Sequence, residues 1–215
     1  KDVLFNILDD VLQRYRDCNV TILARKNAQV ETVVEWLTEK NIRAASFSSL
    51  NIRKRKIIRE IVSLLQFLDS PIDNLSFASF ICGDIFIKAA ASTGRKVNQD
   101  DIFEYIFKRL RDRIRKPDYL YVWFREHGPF KDLWKVLFEE LFNKVGYYSL
   151  YDLASLIFST FKIFDNFPEE TGFLVRFLET ISSFESRGMN SIKDFIDLVS
   201  EDEGSILEVV LPDYI

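Results

Sequence analysis

Cysteine, methionine and histidine are scarce in these 215 residues, and each scarcity bears on what the chain can be. The two cysteines, Cys18 and Cys82, stand far apart with neither a CxxC nor a paired spacing. Neither a disulfide framework nor a zinc site is signalled, and reduced, partly buried thiols are expected. The single histidine, His127 in Glu126-His127-Gly128-Pro129, has no nucleophile or orienting acid that sequence can assign to it, so a turn residue is the simpler reading. None of the seven glycines opens GxxxxGK[ST], whose backbone amides cradle phosphates while its lysine reaches the outer ones. The chain alone is therefore expected to hydrolyse nothing and to hold no cofactor. No apolar run has the length of a membrane span and no basic-then-apolar stretch opens the chain, so no membrane role and a cytoplasmic location are expected. The only methionine is Met189, while the sequence starts at Lys1, which predicts a segment of a longer polypeptide. A formal net charge of -4 argues against a general nucleic-acid adhesive, because non-specific affinity comes from cations that neutralise phosphates. Any DNA contact has to be local.

What the chain does have is apolar material: 47% hydrophobic residues and 20 phenylalanines. At this length roughly 70% of the unfolded surface can be buried, which allows one large domain or two small ones. Val3, Leu4, Ile7, Leu8, Val11, Leu12 and Tyr15 recur at helical spacing. Val20 to Ala24 reads as a buried strand, rich in β-branched residues. Val30, Val33, Val34 and Leu37 make a second helical face, and Ile42 to Phe47 a second strand. Strand, helix, strand is the rhythm of a parallel sheet. From Asn51 almost to Gly204 the period stays helical, with apolar faces at 57–68, 102–114, 133–142, 153–161 and 173–184. Ser149-x-x-Asp152 and Ser191-x-x-Asp194 are helix-start patterns, and Gly188 is placed to end a helix. Lys88 to Asn98 is the best candidate for a mobile loop. Ile206 to Leu211 returns to strand chemistry, as though the chain rejoined a sheet it had left near residue 50.

The acidic pairs Asp9-Asp10 and Asp100-Asp101 stand beside helical patterns, where capping or solvated carboxylates are commoner than metal ligands, so no metal site is expected. Two basic clusters are candidates for phosphate. Arg53, Lys54, Arg55, Lys56 and Arg59 crowd a helix start, where cations oppose the dipole; Lys108, Arg109, Arg111, Arg113, Arg115 and Lys116 crowd a helix end, where the dipole favours them. Tyr119, Tyr121, Trp123 and Phe124 follow the second cluster; they could stack unpaired bases, although core packing is the simpler use.

Thr21-Ile22-Leu23-Ala24-Arg25-Lys26-Asn27-Ala28-Gln29 is similar to a strand-to-helix junction of UvrD/RecB/AddA-like superfamily 1 DNA helicases, in which a hydrophobic strand runs into R-x-N-A-Q. The order that follows also resembles that family: a helix, Asn41-Ile42-Arg43-Ala44-Ala45, a long apolar helix from Ile57 to Leu68, then Asp69-Ser70-Pro71-Ile72-Asp73-Asn74. Phe177-Leu178-Glu179, Phe184-Glu185-Ser186-Arg187-Gly188 and Ser191-Ile192-Lys193-Asp194-Phe195 resemble the closing helices of the family's inserted 2B domain. One departure is that Val30 and Glu31 stand where many members carry a basic residue.

The resemblance implies a mainly α chain with a small α/β part. Residues 1–50 and 205–215 would form an incomplete RecA-like 2A motor domain with parallel strands near 20–24, 42–47 and 206–211, and 51–204 a helical 2B-like insertion. Arg25, Asn27 and Gln29 become candidates for the nucleotide cleft, since strand-end loops of parallel sheets face the ligand crevice; the structural alternative has Arg25 at a sheet edge and Asn27 capping a helix. The implied parent, akin to an exodeoxyribonuclease V beta subunit, would use ATP and magnesium bound outside this chain. Its partners would be DNA, the remaining helicase domains and a nuclease or helicase subunit. A stand-alone α-helical protein-interaction module is the alternative.

Overall fold

Spacing of three and four between apolar residues produces helices almost throughout the computed structural model, which describes residues 1–15, 20–25, 27–40, 42, 52–112 and 119–201. The chain divides into two units, Lys1–Asn51 and Ile52–Ile215. In the first, α1 (Asp2–Arg14) and α2 (Asn27–Glu39) bury Leu8 and Leu37. Lys1 pairs with Glu39, and Lys40 lies 5.6 Å from the Phe5 ring centre, which joins the start of α1 to the end of α2. Only part of the apolar face of α1 is covered, since Val3, Ile7, Leu12 and Tyr15 stay exposed.

The strand expected at 20–24 is not formed. Val20 to Ala24 run without helix or ladder, and Leu23 is 92% exposed where a buried strand was expected. β-branched residues favour extended backbone, but a strand also needs a neighbour to take its hydrogen bonds, and among the described residues there is no strand at all. The expected strand at 42–47 lies, beyond Ile42, outside the described residues, as does that at 206–211. The chain is thus mainly α, and the described residues do not include a RecA-like sheet.

The second unit opens with a 3-10 turn, Ile52–Lys54, and continues as α3 (Lys56–Asp69), α4 (Asn74–Ile81), α5 (Asp84–Ser92), α6 (Gln99–Asp112) and α7 (Leu120–Glu126). The next helix, α8, runs through Lys131–Leu133, a π-helical Trp134–Phe138 and Glu139–Lys144. Then come α9 (Leu150–Thr160), the short α10 (Ile163–Asn166), α11 (Thr171–Ser186) and α12 (Ile192–Glu201). Helix α3 is the axis, packed by α4, α5 and α12. Of the predicted face it buries Ile57, Ile58, Ile61, Leu65 and Leu68, with Val62 half-buried, and it adds Leu64 and Phe67, while Lys56, Arg59 and Asp69 stay on its exposed side.

Phenylalanine rings form the centre of the core. Phe77 meets Phe124 edge-on with centroids 5.4 Å apart, and Phe80 meets Phe138 and Phe161 edge-on at 5.9 and 5.0 Å. The ring quadrupole favours such tilted contacts, each adding about 0.5–1.5 kcal/mol beyond burial.

Two expected features are corrected. On α6 the inward residues are Ile102, Tyr105 and Arg109, while Phe103 and Phe107 face out, because Tyr105 stacks on Trp123 at 4.5 Å and turns the helix to that register. The expected loop at 88–98 is half helix: Lys88–Ser92 close α5 with Ala89 and Ala90 fully buried. Gly94 makes the turn at φ +85°, Val97 is buried, and Asn98 begins the cap of α6.

Candidate functional site: the basic start of the helical unit

The first basic cluster sits where the chain enters the second unit. Arg55 is the N-cap residue of α3, and its side chain accepts no capping bond from the first-turn amides. Its guanidinium lies 3.8 Å from the Phe173 ring centre and 3.7 Å from Glu170, both at the start of α11. Arg53 donates from Nη1 to the carbonyl of Ser200 at 3.4 Å, in the last turn of α12, where helix carbonyls lack partners and the dipole is negative. Lys56 donates to Asp84 at 2.6 Å, and this bond holds its ammonium above the usual lysine range. Cations that appear misplaced against the α3 dipole thus have local acids, a ring and a helix end for partners. Lys54, Lys56 and Arg59 are the exposed members of the cluster, and of these Lys56 is paired with Asp84.

Beneath Lys56 lies the one carboxylate among the described residues that is buried: Glu60, 7% exposed. Its Oε2 accepts from the backbone N–H of Ile85 at 2.9 Å and so caps α5 from another helix. The N-cap position of α5 is Gly83, where a Cβ would stand 2.5 Å from Glu60 Cδ and Oε2, so the approach requires glycine. Burial is the main cause that raises the Glu60 pKa, opposed by the α5 backbone amides and then by Lys56.

The second cluster divides differently. Arg109 is 5% exposed and lies 5.8 Å from the Trp123 ring centre, so it is a core residue and not a surface contact for DNA. Lys108 and Arg111 are exposed; Arg113, Arg115 and Lys116 lie outside the described residues. The aromatics after the cluster are mostly packing: Phe124 is fully buried, Trp123 stacks on Tyr105, and Tyr121 lies 5.5 Å from Phe142. Tyr119 is exposed. Arg25 is exposed at a bend, Asn27 is the first residue of α2, and Gln29 is exposed on it. They belong to the first unit, and among the described residues none of the hydrogen bonds or ion pairs gathers them into a site.

The turn Asp69-Ser70-Pro71-Ile72-Asp73-Asn74 joins three helices. Asp73 accepts from Leu75 N and Ser76 N at 2.9 and 3.2 Å, and the Ser76 hydroxyl bond to it depresses its pKa. Asn74 Oδ1 accepts from Leu120 N at 2.8 Å, capping α7 across 46 residues. The start of α9 is held similarly: Ser149 takes the Asp152 amide at 3.1 Å, Asn190 takes Leu150 N and Glu185 takes Tyr151 N, each at 2.9 Å. Ser191 accepts from Asp194 N at 3.2 Å, and Gly188 follows α11 at φ +81°. Both helix starts and the glycine stop fall where the sequence pattern puts them.

Asp101 Oδ2 accepts from Asn98 N at 3.1 Å and Asn98 Oδ1 from Asp101 N at 2.8 Å, and Asp10 pairs with Arg14 at 2.8 Å, so one acid of each pair has a structural partner. Among the described residues no cluster of His, Cys, Asp or Glu has metal-binding geometry. His127 caps the end of α7, its N–H donating to Trp123 O at 2.8 Å. Burial pushes the Cys82 thiol up to about 11, which makes it a poor nucleophile. An open groove of about 490 Å3 runs between Tyr151 of α9 and α11, where Val175 and Leu178 line it together with Glu179, Ser182, Ser183 and Ser186. No single helix is long and apolar enough to cross a membrane among the described residues.

Sequence reasoning missed Glu60, Asn74, Glu185 and Asn190, whose partners are 25 to 46 residues away. A glutamate at an otherwise apolar register of α3 was the available signal for the first. Comparison with protein-family models, with curated proteins and with solved structures gave no match.

Proposed function

We propose that the chain is a non-catalytic piece of an ATP-dependent DNA helicase or helicase–nuclease subunit of the UvrD/RecB type, and that its second unit is the helical insertion that regulates unwinding or touches the duplex. The observation that carries this reading is topological. The first turn of that unit and the last turn of α12 are neighbours, joined by Arg53 and Ser200. A domain inserted into another must leave and return at nearly one place, so adjacent ends are what an insertion requires. The order of motifs from Thr21 to Phe195 supplies the family; ATP and magnesium would be bound by the parent outside this chain, whose work would be in cytoplasmic break repair.

DNA would be met through Lys54 and Arg59, two exposed cations beside this joint, while Arg53, Arg55 and the exposed but acid-paired Lys56 hold contacts within the unit. The test is binding of forked DNA over a salt series. Weak binding that falls steeply with salt and is lost in K54E/R59E supports the reading; retention of DNA by that variant, or no binding at low salt, contradicts it.

A second reading, a stand-alone helical interaction module, is favoured by one observation: the phenylalanine core of the second unit closes among helices alone. A GxxxxGK[ST] motif encoded upstream in the same reading frame decides for the helicase, and its absence for the module.

A further inference from the structure

We propose that Arg53 and Arg55 form a clasp that turns the two chain crossings of the helical unit into one mechanical joint. The inbound segment, Ile52 to Arg55, is short and lies on the surface apart from Ile52, which is fully buried. The outbound helix α12 is anchored by Phe195, which lies 5.7 Å from Phe177 and 5.4 Å from Phe184 of α11. Arg55 fixes the inbound segment to the start of α11 by stacking on Phe173 beside Glu170, and Arg53 reaches across to the Ser200 carbonyl. One helix, α11, therefore receives both crossings: Arg55 at its start and Phe195 along its length. A pull on either crossing reaches the other through these two neighbouring arginines at the surface, alongside the packing of Ile52 and Phe195 into the shared core. The use of the clasp as a joint rests on the reading of this unit as an insertion, whereas its existence concerns only contacts within the unit.

Amide hydrogen exchange on the whole chain tests it. In R53A/R55A, the amides of Arg53–Arg55 and Leu198–Ser200 should exchange roughly three- to tenfold faster, the scale of a partly exposed ion pair with a stacked guanidinium. Amides of α4 and α8 around Phe77, Phe80 and Phe138 should keep their protection. Should the double variant not fold, R53A alone is read at Leu198–Ser200. Unchanged exchange at both crossings, or an equal rise through the whole unit, overturns the clasp. Neither result depends on DNA binding or on a nucleotide motif upstream, so this failure is distinct from failure of the helicase reading.

Discussion

Glu60 of α3 accepts a hydrogen bond from the Ile85 amide of α5 at 2.9 Å, with Gly83 leaving the room for it. A buried acid thus does for a neighbouring helix what an N-cap side chain does for its own, and α5 has no side-chain cap of its own.

Removing that carboxylate should expose the consequence directly. E60A leaves a buried amide without an acceptor and is expected to cost about 1–3 kcal/mol in urea unfolding. G83A, which places a Cβ against the carboxylate, should destabilise by about 1–3 kcal/mol through displacement of Glu60. If both variants unfold at the wild-type midpoint, Glu60 does not cap α5.

The pH response of this acid has a definite sign. Its folded pKa is raised above the ordinary value of 4.5, so its contribution to stability is fully present below that value and is lost as pH rises through the folded one. Asp73 is lowered from 3.8, and its contribution is present above that value and lost as pH falls through the folded one. Melting temperature followed against pH in E60Q and D73N should therefore lose opposite slopes: E60Q above about pH 4.5 and D73N below about pH 4. Parallel profiles for both variants and wild type would count against the assignment.

Lys162 holds a left-handed backbone, φ 49° and ψ 47°, in the turn between α9 and α10. A side chain strains that conformation and glycine does not, so K162G should stabilise the chain by about 0.5–1 kcal/mol. A loss of stability in chemical denaturation would show that the lysine side chain contributes more than its backbone strain costs.

The start of α9 depends on three acceptors from two places in the chain. S149A and N190A are each expected to cost about 1 kcal/mol, and because both serve the same first turn their effects should not simply add. A double-mutant cycle with strictly additive losses contradicts a shared cap.

Much of the helical unit was legible because its information is local. Faces such as Leu133-Leu137-Leu141 and Leu174-Phe177-Ile181-Phe184 repeat at helical spacing, and Ser149, Ser191 and Gly188 act within three residues of themselves. The register of α6 was misread because Phe103 and Phe107 are as apolar as a core face. What decides there is Tyr105 on Trp123, a contact across 18 positions of sequence. Arg109 was misread for the same reason, since a guanidinium is charged in any sequence and buried only where an aromatic face receives it. Val20 to Ala24 shows the converse error: β-branched composition signals extended backbone but cannot supply the neighbouring strand. The basic cluster at Arg53 to Arg59 was located by sequence, but its division into clasp and surface was not, because Glu170, Phe173 and Ser200 lie more than a hundred residues away.

The adjacency of the two crossings of the helical unit can be measured directly. Spin labels placed at Lys54 and Asp197, in a C18S/C82A background, measure it by pulsed dipolar spectroscopy. A single, narrow, short distance population is predicted, and it should broaden in R53A/R55A. A long or multiply populated distance in the otherwise native chain would contradict the insertion topology and the function proposed from it.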